Sequence, residues 1–354
     1  MRRLFAPALA GALALTAAAA QAEPPKVVAS IAPLHALVAG VMEGVGTPAL
    51  LVPAGASPHT YSMRPSEARL LNEAGVVFWI GDEMETFLVK PVAALGGKAR
   101  SVELAEAPGV TLLPYREGGV WETHAHDKKG HGHDRKAGHS HDHGKKDHGK
   151  KHAHSGHDHG KKGHDHDKKA GHAHGHDHAH GTHDMHVWLD PANARAIVQH
   201  VATVLGEADG ANAAAYEANA ERTIGRLDEL DAELRAKLEP VRAAPFIVFH
   251  DAYQYFERAY GLSAAGSVTI SPEHAPGARR LSEIRTRIAD SGARCVFSEP
   301  QFDAGLVATV AEGTPARIAE LDPLGVGVEP GPDLYFTVLR SLGSAIGDCL
   351  GAAG

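Results

Sequence analysis

The stretch from His124 to His186 limits how this chain can fold. Of its 63 residues 21 are His, and nearly all the rest are Asp, Lys, Gly or Ala. Apart from Met185 it holds no large apolar side chain, so nothing in it offsets the entropy of ordering a core. The composition predicts a disordered loop over residues 122–185 that offers imidazoles to metal ions. It is an insertion and not a tail, because ordinary globular sequence resumes at Val187. The folded body must come from the sequence on either side.

The first 22 residues read as a leader: Arg2 and Arg3, an apolar Ala-rich run from Leu4 to Ala20, and a small-x-small site at Ala20-Gln21-Ala22. The alternative, an N-terminal membrane anchor, fits less well, since the run is short for a span. The mature chain is expected to start at Glu23 and to be exported. Its two Cys, Cys295 and Cys349, form an even pair, which in an exported protein suggests a disulfide. Two buried free thiols are the other reading. Residues 124–186 carry 12 Lys and Arg against 9 Asp, which leaves the rest of the chain at a net charge of about −11. An acidic body argues against nucleic acid as a partner.

Outside the leader and the tract about 270 residues remain, enough for two α/β lobes. Short apolar runs alternate with helical patterns. Strands are expected at 26–31, 49–52, 76–80 and weakly at 101–104, with helices opening at Pro33, at Pro65 and across 84–95. Pro191 opens another helix, and a longer pattern runs from about Asn212 to Leu238. A second alternating set follows, with strands at 245–249, 263–270, 295–298 and 316–321. This predicts an α/β protein of two doubly wound lobes, 23–207 and 241–354. A long connecting helix over 208–240 would join them, with a metal site in the cleft between.

His59 lies in a loop after one strand and His250 directly after another. His186 stands at the exit from the tract, and Asp322 follows a strand. In open α/β sheets ligands bind beyond the carboxyl ends of the strands. Three neutral imidazoles and a carboxylate make a tetrahedral set for Zn²⁺ at about 2.0–2.2 Å each. Each residue also has an ordinary structural reading: a loop cap, the end of a His run, a core His, a turn Asp. His35, His200 and His274 are weaker candidates.

Several motifs together resemble one family. They are Gly55-Ala-Ser-Pro-His-Thr-Tyr-Ser62 with Arg64-Pro-Ser66, His186-Val-Trp-Leu-Asp-Pro191, Phe249-His-Asp-Ala-Tyr-Gln-Tyr-Phe256, Glu299-Pro-Gln-Phe302 and Leu321-Asp-Pro-Leu-Gly325. They span the mature chain and resemble the zinc-binding periplasmic components of ABC importers, the ZnuA type among metal-specific solute-binding proteins. The resemblance implies that His59, His186 and His250 are the primary ligands, and that an imidazole at 250 suits Zn²⁺ better than Mn²⁺. It implies Asp322 or water as fourth ligand, since Pro58 stands where some relatives carry a Glu. It further implies a Cys295–Cys349 disulfide, a long helix that limits lobe closure, and a monomer that delivers metal to a dimeric permease.

Two other classes compete. A zinc hydrolase would need a general base beside bound water; Glu273 or Glu299 could be proposed, but no H-E-x-x-H motif supports either. A passive zinc store or chaperone would act through the His-rich loop alone. The expectation is a non-enzymatic binding protein.

Overall fold

The computed structural model describes residues 23–53, 55–116, 182–269 and 276–352. The leader, most of the His-rich insertion, and the loop with Glu273 and His274 lie outside the described residues. Among the described residues no helix is long and apolar enough to cross a membrane.

The first sheet contains β1 (Val27–Ala29), β2 (Ala49–Leu50), β3 (Val76–Trp79) and β4 (Arg100–Glu103), all parallel, in the order β2-β1-β3-β4. Its connections carry α1 (Ala32–Val41), α2 (Pro65–Glu73) and α3 (Val89–Ala94). Every residue of β1 and β3 is buried, as expected for parallel strands covered on both faces. Next comes a short antiparallel pair, β5 (Leu113–Pro114) with β6 (His183–Asp184). The chain is therefore structured from Thr182, within the span expected to be disordered. Pairing with β5 and burial of Asp184 and Met185 account for this earlier boundary.

α4 (Pro191–Ala208) starts at an Asp190 cap, whose side chain accepts the Ala192 amide, with Pro191 in the first turn. α5 (Ala213–Leu238) follows, 26 residues long and so about 39 Å. Its Leu227, Leu230, Leu234 and Leu238 are fully buried. It packs against α1 and α4, and also against two helices of the second half, α6 (Gln254–Tyr260) and α9 (Leu334–Gly351). α5 is thus part of a continuous core. α5 and α9 approach closely at Gly343, where a Cβ would collide with Leu234 Cδ2.

The second sheet contains β7 (Phe246–His250), β8 (Ala264–Thr269), β9 (Cys295–Ser298) and β10 (Arg317–Glu320), again all parallel, in the order β10-β9-β7-β8. Numbered within its own half, it repeats the winding of the first sheet. α7 (Ala278–Ser291) and α8 (Ala304–Ala311) complete this half. A Cys295–Cys349 disulfide ties β9 to α9.

One expected helix differs. Across 84–95 the regular helix is only α3, preceded by a 3₁₀ turn at Thr86–Leu88. Glu85 explains the late start. Its buried carboxylate accepts the Ile80 and Gly81 amides at 3.2 and 3.0 Å and the Ser30 hydroxyl. These bonds hold the chain in a turn beyond β3.

Candidate metal centre

The three candidate histidines come from separate elements. His59 sits in the loop after β2, which Gly55 enters with φ +95°, a left-handed conformation costly for other residues. His186 stands two residues beyond the end of β6, and His250 is the last residue of β7. Their side chains converge. His59 Nε2 lies 3.2 Å from His186 Nε2, which lies 3.3 Å from His250 Nε2. Among the described residues these three form the one group of His, Cys, Asp or Glu placed to hold a metal ion. Two nitrogens each about 2.0–2.1 Å from a tetrahedral Zn²⁺ stand about 3.3–3.4 Å apart. Both close contacts fit that edge.

The other ring nitrogens fix the tautomers. His186 Nδ1 is 2.7 Å from Asp184 Oδ1, and His250 Nδ1 is 2.6 Å from Glu299 Oε1. With each carboxylate oxygen accepting, Nδ1 carries the proton and Nε2 turns a lone pair to the shared centre. Both carboxylates are buried, as are His186 and His250, while His59 is half-buried. Among the described residues His59 Nδ1 has no hydrogen-bond partner.

Burial, then the charges of the neighbouring imidazoles, holds His59 and His186 well below the ordinary His range, so both are neutral, ligand-ready bases. For His250 burial acts in the same direction, but the Glu299 carboxylate outweighs it and raises the imidazole. Burial pushes Asp184 up to about 7, against the opposing pull of the His186 amide and Arg116. The surrounding wall is largely apolar, with Pro58, Trp188, Phe302 and Leu324 lining the crevice. Phe302 stacks on Phe249 and meets the His250 ring edge-on. Such a wall strengthens metal–ligand attraction by keeping water out.

Asp322 is not brought into this group. Its carboxylate accepts Gln301 Nε2 at 2.8 Å and the amides of Leu324, Gly325 and Val326 at 3.0, 3.0 and 2.5 Å. It clasps the turn after β10. His35 is buried with Nε2 3.0 Å from the Pro48 carbonyl, and His200 lies on α4; neither approaches the crevice group. The residue reading missed Asp184 as a partner of His186. Its signal was the Asp184-Met-His186 spacing, because residues two apart on an extended chain share a face. Glu299, a candidate base by residue type, instead orients His250.

Comparison with known proteins identifies the family. The family model described as "Zinc-uptake complex component A periplasmic" matches residues 27–349. The chain belongs to that family. It is 47% identical over 324 residues to the high-affinity zinc uptake system protein ZnuA of Brucella abortus (strain 2308), covering 92% of this chain and 91% of that one. The protein of the same name from Paracoccus denitrificans (strain Pd 1222) is 40% identical over 345 residues, with 97% of each chain covered. Among solved structures, a crystal structure of ZnuA superposes with TM-score 0.68 at 22% identity, over 92% of this chain and 99% of that one. The periplasmic zinc-binding protein TroA of Treponema pallidum gives TM-score 0.69 at 19% identity, over 92% and 99%. Both solved structures share the α/β fold of this chain.

Proposed function

We propose that this protein captures Zn²⁺ in the periplasm and delivers it to the membrane permease of an ABC importer. The observation that carries the reading is the convergence of the His59, His186 and His250 Nε2 atoms, two of their spacings matching a tetrahedral zinc edge. Membership of the zinc-uptake family supports it, as do relatives named for high-affinity zinc uptake. Water completes the coordination sphere, because four hydrogen bonds hold Asp322 in its turn. The protein is not an enzyme in this reading: Glu299 orients His250 through Nδ1, and no H-E-x-x-H motif supplies a base for a bound water. The protein acts as a monomer. Its His-rich insertion gathers zinc at weak, multivalent sites beside the tight one.

Calorimetric Zn²⁺ titration tests this. The chain without its leader and without residues 124–180 is expected to bind one Zn²⁺ tightly, and its His250→Ala version far more weakly. No tight site in the former would overturn the reading and make the His-rich stretch a passive store.

A further inference from the structure

The β5–β6 pair, the neck from which the His-rich insertion departs, is bound to the opposite half of the molecule by a dense polar seam. Arg116, two residues past β5, reaches across to Asp251 and Glu257. Its Nε lies 3.0 and 3.1 Å from the two Asp251 oxygens, and its Nη1 and Nη2 lie 2.9 and 3.0 Å from Glu257 Oε2 and Oε1. Nη2 also bonds Asp251 Oδ1. The guanidinium is largely buried, and both carboxylates more so. Burial opposes its charge, but the two acids outweigh that and raise it above its ordinary value. Beside it the Tyr255 hydroxyl donates to the Asp184 carbonyl at 2.6 Å and accepts the Leu113 amide at 2.9 Å. Gln254 Nε2 donates to the Pro114 carbonyl at 3.2 Å.

These contacts bear on the metal centre at both ends. Asp251 follows His250 directly. Asp184 both accepts from Tyr255 through its carbonyl and orients His186 through its carboxylate. Two ligands from different halves are thus pinned, each within two residues, to one seam. For His186 and His250 to separate, the seam must stretch.

We propose that Arg116 is a positioning residue, the centre of a clasp between the insertion neck and the second half that sets how fast zinc leaves the crevice. The proposal rests on the zinc-capture reading. A forked guanidinium is required here, because it bonds two carboxylates bidentately at once and an ammonium does not. Opening the clasp is the event that a permease, or a change at the neck, would have to bring about for release.

The test uses the full chain loaded with one equivalent of Zn²⁺ and chased with excess chelator, the slow phase giving release from the tight site. Arg116→Lys keeps the charge and the fold but loses the fork. It is expected to speed release about tenfold, within the range usual for groups that support metal ligands. Tyr255→Phe is expected to speed it less, and Arg116→Gln more than Arg116→Lys. Thermal unfolding of the metal-free variants separates the roles, because a merely structural residue would lower the melting temperature and leave the release rate alone. An Arg116→Lys chain that releases zinc at the unaltered rate overturns the clasp, whatever its melting temperature. An unaltered chain with no slow phase overturns the zinc reading itself, and the clasp with it.

Discussion

The two halves are wound alike yet treat one position differently. In each, the first strand ends beside a buried carboxylate that follows the third strand. Beyond β1 stands Ser30, with Glu85 reaching it from the turn after β3. At the end of β7 stands His250, with Glu299 reaching it from directly after β9. Glu85 is occupied by the Ser30 hydroxyl and two amides of its own loop, so it fixes a turn. Glu299 gives one oxygen to an imidazole, and its other oxygen has no hydrogen-bond partner among the described residues. A winding that places a crevice at the strand ends does not choose its contents. A hydroxyl at the first strand end gives a braced loop, while an imidazole with its orienting acid gives a group able to bind metal.

Exchanging the roles of these positions should expose the difference. Removing the imidazole has the largest expected effect. His250→Ala should weaken the tight zinc site about 10³-fold, close to 4 kcal/mol, whereas Ser30→Ala at the matching position should leave affinity within about threefold. Competition titration against a chromogenic chelator measures both. Next is the disulfide, which braces only the second half. Replacing Cys295 and Cys349, 54 residues apart, by Ser should cost up to about 4 kcal/mol in denaturant unfolding and leave zinc affinity unchanged.

Glu85 and Glu299 should then part company. Burial raises Glu85 to about 7 despite its hydrogen bonds, against an ordinary 4.5. The folded chain therefore holds this proton more tightly than the unfolded chain. The stability linked to it is full below about pH 4.5 and lost as the pH rises through about 7, a fall of about 3 kcal/mol. Glu85→Gln should flatten that part of the metal-free stability profile while zinc binding stays intact. Glu299→Gln should weaken zinc binding 10- to 100-fold, on the order of 1.4–2.7 kcal/mol. The smallest effect is expected at Asp322. With water as fourth ligand, Asp322→Asn should change zinc affinity less than about threefold, and a larger loss would show that the carboxylate leaves its turn to bind metal.

Much of this was legible in the sequence because the signals were local. Buried strand runs such as Val76-Val-Phe-Trp79 and helix starts at Pro65 and Pro191 announce themselves within a few residues. The histidines stood out through their places beside strands, in motifs that also carry the family resemblance. The partners of those histidines were harder to see. Glu299 meets His250 across 49 residues, and Arg116 meets Asp251 across 135, distances that only the sheet register and the packed halves close. Asp322 stayed open in the sequence because a carboxylate after a strand reads equally as ligand or turn clasp, and the choice depends on which amides face it. The β5–β6 neck is two residues a side, too short for any alternation to mark it.

The most direct test of the central claim is the zinc coordination sphere itself. X-ray absorption of the one-zinc complex of the chain lacking residues 124–180 should show three imidazole nitrogens and one oxygen at about 2.0–2.1 Å, with one imidazole lost in His59→Ala. A shell without three imidazoles, or one that His59→Ala and His250→Ala both leave unchanged, would place the metal elsewhere and contradict the account.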